Sequence, residues 1–223
     1  MLYRIGRHAI RSERAAKPAG QASKYVINLL ASLGHFGIAV DYGCGRLRYG
    51  CRLYHQSDVL IVVDSEAQID RRLELFGERT TVREYVHERW HSTTAMDLTE
   101  FSLCKAKADF ILCANVLSAI PLGRDRIIAL QKIREHLAPN GQVLVFCQYT
   151  NSYFCSKLRD PRVTKFGDGF VLVSGDNASF YGLINLESLC NLVEKAGLKP
   201  QRAWRANQTA FVLCASHTSG KTK

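Results

Sequence analysis

Ile38-Ala39-Val40 is a short apolar run that ends in Asp41-Tyr42-Gly43-Cys44-Gly45, and this ending constrains the fold more than any other stretch of the chain. A buried strand that closes on an acid and two nearly adjacent glycines is how a nucleotide-like ligand is received at a sheet end. The glycines let the main chain turn sharply and leave room for a ligand against it, and the following helix offers free N–H groups there. A second apolar run, Val59-Leu60-Ile61-Val62-Val63, ends in Asp64, 23 positions after Asp41 and close to where a ribose-binding acid is expected. Two strands ending in acids, with a glycine turn after the first, point to an adenosyl ligand.

The chain has 223 residues, 47% of them hydrophobic, enough for one full core. The organisation expected is a basic N-terminal arm over 1–21, a single domain over 22–216 with an insertion at about 149–183, and a short polar tail over 217–223. Charge interrupts every long apolar run, which argues against a membrane span. The N-terminus has no signal-peptide core, which favours the cytoplasm. The eight cysteines are scattered, mostly inside apolar patterns, and no C-x-x-C pair occurs, so they read as small core residues rather than disulfides or metal ligands. The formal net charge is +10, which raises the prospect of an anionic partner: a nucleic acid or an acidic small molecule. Arg4, Arg7, Arg11, Arg14 and Lys17 crowd the leader, which reads equally as an arm that meets phosphate and as a solvated tail. Arg46, Arg48 and Arg52 lie beside the glycine turn, where positive charge would attract acidic substrates.

Periodicity places a helix over Ala22 to Leu33, strands at Ile38 to Asp41 and Val59 to Asp64, a helix from Glu66 to about Phe76, and a third strand at Thr81 to Val86. Asp97 falls in a loop before a fourth strand at Phe110 to Ala114. An amphipathic helix over Arg124 to Leu137 leads through the turn Pro139-Asn140-Gly141 into a fifth strand at Val143 to Cys147. After the insertion come a helix over Leu186 to Ala196, closed by Gly197, and a hairpin around Asn207-Gln208. Strands alternating with helices require parallel crossovers, the signature of a doubly wound α/β sheet.

The segments Asp41-Tyr42-Gly43-Cys44-Gly45, Asp64, Asp97, Ala108 to Leu117 and Leu137 to Val145 together resemble the class I S-adenosylmethionine-dependent methyltransferases, over roughly Lys24 to Cys214. Many members carry a third glycine two residues after Gly45, where this chain has Leu47. The resemblance implies a Rossmann-like, mostly parallel seven-stranded sheet with helices on both faces and an antiparallel C-terminal strand, and S-adenosyl-L-methionine as cofactor. Asp64, followed by Ser65, is the expected acceptor for the ribose hydroxyls, with helix N-capping as the alternative. Asp97, followed by Leu98, matches the family acid that meets the adenine amino group, although a loop acid also makes an Asx-turn. Asp41 would organise the turn or meet the methionine ammonium, and Gly43, Cys44 and Gly45 would bring the main chain against the cofactor. Lys24 could reach the methionine carboxylate, or be a surface lysine.

Methyl transfer from a sulfonium is an in-line displacement that alignment and desolvation can drive without a conspicuous base. Asn115, at the mouth of the fourth strand, is the first candidate to orient an acceptor or, as a cofactor-binding residue, to accept a bond from the methionine ammonium, with a strand-capping asparagine as the alternative. Tyr149, which opens the insertion, and His91, an imidazole that titrates near neutrality, complete the catalytic candidates. The insertion, at the carboxyl end of the fifth strand, is placed either to cover a substrate or merely to cap apolar surface. No Pro-Pro-aromatic motif follows Asn115 and no Pro-Cys pair occurs, which sets aside two chemistries of nucleic-acid methylation. A dehydrogenase fits poorly, because Leu47 replaces the glycine that makes room for a pyrophosphate. The function expected is methyl transfer to an unidentified acceptor, nucleic acid or small metabolite. The alternative is a non-catalytic S-adenosylmethionine-binding or partner subunit of a nucleic-acid-modification system. Oligomeric state is not legible.

Overall fold

The computed structural model describes residues 2–149, 152–158, 160–174 and 177–216, and the main chain alone for Arg14, Ser152, Tyr153, Cys155, Ser174 and Asn177. The polar tail at 217–223, with Asn151 and Arg159 of the insertion, lies outside the described residues. In chain order the elements begin with β1 (Leu2–Ile5), β2 (His8–Arg11), α1 (Lys24–Ser32), β3 (Phe36–Tyr42), α2 (Gly50–Tyr54), β4 (Ser57–Asp64) and α3 (Glu66–Ile69). They continue with β5 (Leu73–Leu75), β6 (Glu78–Thr80), α4 (Val82–Arg89), β7 (Thr93–Asp97), α5 (Leu98–Leu103), β8 (Ala108–Ala114), α6 (Gly123–Glu135) and β9 (Leu137–Gln148). Last come α7 (Ser152–Lys157), β10 (Val163–Phe166), β11 (Gly169–Ser174), β12 (Asn177–Gly182), α8 (Leu186–Lys195), β13 (Lys199–Ala206) and β14 (Thr209–Ala215).

The main sheet has seven strands in the order β13-β14-β9-β8-β3-β4-β7. Neighbours β3, β4 and β7 run parallel, while β14 is antiparallel to both β9 and β13. This is the doubly wound sheet with an antiparallel C-terminal edge that the sequence implies. Its strands are nearly continuous apolar runs, as burial on both faces demands: Leu60 to Val63 in β4 and Phe110 to Cys113 in β8 are all buried. Phe36 stacks on Phe110 with ring centroids 4.4 Å apart, and Asp109 accepts the Ile38 N–H at 2.9 Å.

Three sequence expectations give way to local chemistry. The helix expected to reach Phe76 stops at Ile69. A hairpin of β5 and β6 follows, turning on Phe76 and Gly77, both at positive φ, a two-residue turn for which the glycine is the signal. Thr81 to Val86, expected as the third strand, belongs instead to α4. Thr81 Oγ1 accepts the Glu84 N–H at 3.0 Å while Glu84 accepts the Thr81 N–H at 3.1 Å, a reciprocal cap that outweighs the β-branched composition. The third parallel strand is β7, which brings Asp97 to a strand end rather than into a loop. The chain also stays extended through Pro139-Asn140-Gly141, inside β9.

The chain groups into two compact units, Ala16–Leu112 and Met1–Ala15 with Cys113–Lys223. The stretch expected as a basic arm is therefore divided, and its first part is not a solvated tail. In the second unit β1 and β2 join the insertion strands in a five-stranded sheet, order β1-β2-β12-β11-β10, through a parallel bridge between Ile10 and Ala178. Tyr3, Ile5 and Ile10 are buried, and burial with Asp125 nearby pushes the Tyr3 phenol up to about 12. This sheet is fixed to the turn after β8. Arg126, 3% exposed, holds both Asp168 oxygens and donates through Nε to the Ile120 carbonyl at 2.7 Å. A Cβ on Gly182 would stand 3.3 Å from Ser118 Cα, so the two backbones are in contact. Among the described residues, no helix is long and apolar enough to cross a membrane.

Candidate functional site

In the unit Ala16–Leu112, the end of β3 turns through three left-handed residues at alternate positions: Gly43 (φ 77), Gly45 (φ 55) and Leu47 (φ 56). Leu47 thus takes the backbone conformation that a glycine would supply, at a cost of about 1–2 kcal/mol. Its side chain is completely buried, beside Gly50, and that burial offsets the strain by a similar amount. The departure from the family glycine therefore leaves the loop's left-handed turn in place.

The turn is held by the end of the neighbouring strand β4. The Gly43 and Cys44 N–H groups donate to the Val63 carbonyl, and Asp64 accepts the Gly45 N–H at 2.9 Å through one oxygen and the Ser65 N–H at 2.7 Å through the other. Each of these carboxylate oxygens retains a second lone pair. Burial raises the Asp64 pKa, against the lowering effect of those two N–H donors. Asp41, 2% exposed, has an Oδ2 with no hydrogen-bond partner among the described residues, and burial followed by the charge of Asp64 lifts its pKa from 3.8 to about 7. The same burial and acids keep the buried Cys44 thiol protonated. In the β4–β7 register Asp97 is the direct partner of Asp64, so the two acids stand side by side at adjacent strand ends. Asp97 Oδ1 caps α5 by accepting the Thr99 and Glu100 N–H groups at 2.6 and 2.8 Å, and Leu98 is the first residue of that helix.

Sequence reasoning missed Gln68, fully buried, whose Nε2 donates to the Gly45 carbonyl at 2.5 Å while Arg71 donates to its Oε1. A glutamine in a four-residue helix carries no signal that it points inward. It also missed the segment just before α1. A Cβ on Gly45 would lie 3.1 Å from the Ala16 Cβ, Pro18 bridges to Arg46, and Arg48 donates twice to the Gln21 carbonyl. Arg46 and Arg48, expected to draw in acidic substrates, thus tie main chain to main chain, Arg46 reaching the Glu74 carbonyl. Lys24 opens α1 and is exposed. His91 lies exposed in the turn before β7, a strand that runs for about 13 Å before it ends at Asp97. The structure does not bring it to the acid cluster.

In the other unit, Asn115 follows β8 in the left-handed conformation (φ 60), which asparagine tolerates better than other side chains. Its N–H donates to the Phe146 carbonyl at 2.8 Å, its Oδ1 accepts the Gln148 N–H at 2.9 Å, and its carbonyl accepts from Ser118 Oγ at 2.8 Å. Asn115 therefore pins the end of β8 to the end of β9, beside Tyr149, whose N–H donates to the Gln208 carbonyl.

These features fit an adenosyl ligand with an amino-acid tail: an unpartnered buried carboxylate, a second acid with lone pairs to spare, a third beside it, and a main chain stripped of side chains at the turn. Comparison with known proteins agrees. Residues 13–203 match the family model described as a methyltransferase domain. The chain is 31% identical over 208 residues to the uncharacterized protein YmfD of Escherichia coli K12, covering 93% of this chain and 92% of that one. An S-adenosylmethionine-dependent methyltransferase of Clostridium acetobutylicum superposes with a TM-score of 0.62 at 14% identity, covering 91% of this chain and 93% of that one. The 1,6-didemethyltoxoflavin-N1-methyltransferase of Burkholderia thailandensis, solved with S-adenosylhomocysteine, gives 0.60 at 16% identity over 86% and 77% of the two chains. Fold, turn and family model converge: the chain belongs to the class I S-adenosylmethionine-dependent methyltransferases.

Proposed function

We propose that the chain transfers the methyl group of S-adenosylmethionine to an anionic acceptor, received by the unit that carries Asn115 and Tyr149. One observation carries this reading. The cofactor-turn unit, Ala16–Leu112, holds 12 Lys and Arg against 12 Asp and Glu, leaving the other unit 18 of the 30 cations against 8 of the 20 acids. The whole net charge of +10 therefore belongs to one unit, and such an imbalance attracts negative partners.

The roles follow the local chemistry. S-adenosylmethionine bears a sulfonium and an ammonium against one carboxylate, and supplies an electrophilic methyl. Asp41, unpartnered and close to neutrality of charge when empty, receives the ammonium. Asp64 offers its remaining lone pairs to the ribose hydroxyls, and Asp97 offers the oxygen not used in capping to the adenine amino group. Gly43, Cys44 and Gly45 bring the main chain close, with Ser65 and Leu98 at the starts of the helices that follow Asp64 and Asp97. Asn115, whose side-chain NH2 is not engaged in its bond to Gln148, orients the acceptor with Tyr149. The seven free cysteines in the described residues support a cytoplasmic setting, where thiols stay reduced.

The test is methyl transfer from labelled S-adenosylmethionine into a cell extract separated by anion exchange. Label is expected in the retained, acidic fractions. Label confined to the unretained fractions overturns the anionic acceptor, and cofactor binding by calorimetry with no label in any fraction assigns a binding role instead.

A further inference from the structure

Within the basic unit the cations are not evenly used. Arg126 is committed to Asp168, Arg162 and Lys157 to Asp160, Arg124 to Asp125 and Lys132 to Glu135. The hairpin of β1 and β2 gathers three that are not: Arg4, Arg7 and Arg11 are exposed and, like Lys165, Lys195, Lys199 and Arg205 scattered elsewhere in the unit, form no ion pair among the described residues. The register Leu2 with Arg11 and Arg4 with Ala9 sets Arg4 and Arg11 on one face as diagonal neighbours, about 7–8 Å apart. Arg7 sits at the two-residue tip with Gly6, and the opposite face, Tyr3, Ile5 and Ile10, is buried. A short ribbon with an apolar underside and three unpaired guanidiniums above is complementary to a row of phosphates.

We propose that the β1–β2 hairpin is a docking ribbon for single-stranded nucleic acid, which it feeds toward Asn115. This rests on the anionic-acceptor reading and narrows it. The connection is structural: β2 bridges to β12, and Gly182 at the end of β12 lies against Ser118 in the turn that begins at Asn115. A single strand is the form expected, because a base paired and stacked in a duplex hides the atoms a methyltransferase must reach.

The competing explanation is that arginines on an edge strand merely block strand-to-strand association. Two charge-matched triple variants of the full chain separate the ideas: R4Q/R7Q/R11Q in the hairpin, and K195Q/K199Q/R205Q, three exposed cations on α8 and β13. Binding is measured by fluorescence anisotropy with a labelled 20-nucleotide single strand and the matching duplex, from low to moderate salt, alongside melting temperature and sedimentation. The hairpin variant is expected to bind the single strand at least tenfold more weakly, with the log–log salt slope smaller by about 2, while the control changes less than threefold. Equal losses in both variants mean that net charge alone acts, and overturn the ribbon. So does tighter wild-type binding to duplex than to single strand, or self-association of the hairpin variant with unchanged affinity. No binding by the wild type at low salt overturns it as well, yet leaves the anionic-acceptor reading standing if label still enters small acidic metabolites.

Discussion

The two units treat charge in opposite ways. In Ala16–Leu112 acids and bases cancel, and many are paired: Arg83 bridges Asp70 and Glu100, and Arg89 meets Glu78. At the glycine turn Asp41 is buried and Asp64 half-buried, neither with an ion pair among the described residues. In the other unit the surplus is cationic and lies outside, on strands whose inner faces are apolar. A buried carboxylate in want of a partner suits a ligand that brings its own cations, whereas exposed guanidiniums suit a large partner that arrives from solvent. The strand-end loops repeat the contrast. Asp64 clamps a turn made by Gly43, Gly45 and Leu47, while Asn115 alone makes the turn after β8 and staples it to β9.

The largest effect expected is on the insertion sheet. Arg126→Met leaves Asp168 and the Ile120 carbonyl without their donor, and should lower unfolding free energy by about 3 kcal/mol, less than a wholly buried pair because Asp168 is partly exposed. Urea titration measures it. S-adenosylmethionine affinity of the folded variant should stay within about twofold, and a large loss would mean that the two regions do not divide the work as argued.

Next in size, Asp64→Ala should weaken S-adenosylmethionine binding by about 1–3 kcal/mol, since it removes both the ribose acceptor and the clamp on Gly45 and Ser65. Calorimetry showing unchanged affinity removes Asp64 from the site.

Asn115 separates anchoring from catalysis. Asn115→Ala should cost about 1–2 kcal/mol of stability, because the Gln148 N–H loses its acceptor and alanine is strained at positive φ, while Asn115→Gly relieves the strain and costs less. If the amide orients the acceptor, both variants lose about tenfold or more in kcat with cofactor affinity nearly unchanged. Recovery of kcat in the glycine variant makes Asn115 a backbone residue only.

The smallest effect is a pH dependence. Asp41 rises from 3.8 to about 7 on folding through burial and its neighbour Asp64. A carboxyl with a raised folded-state pKa favours folding fully in acid, and this contribution is lost as pH climbs from about 4 to about 7. Stability of the ligand-free protein should fall over that window, while cofactor affinity rises as the carboxylate forms to meet the ammonium. Asp41→Asn should flatten both curves, with an affinity loss of about fivefold at neutral pH, equivalent to about 1 kcal/mol. Unaltered slopes would show that another group titrates.

Much of the cofactor side is legible in the sequence because its signals are local. Apolar runs at Ile38 and Val59, acids at their ends and glycines just beyond specify strand, turn and ligand class within a few residues, and the strands, the closing hairpin and Gly197 follow from the same short-range rules. Thr81 shows a local signal that was present but outweighed in reading, since its capping partner Glu84 stands three positions on. Tertiary structure alone decided the rest. Only the fold pairs Asp97 with Asp64 across a register, turns Gln68 inward onto the Gly45 carbonyl, and shows that Leu47 can hold a glycine's conformation because its side chain is buried in return. The same holds for the leader. Its arginines are plain in the sequence, but the β1–β2 hairpin owes its place to strands more than 150 residues away, and no local rule records a partner at that distance.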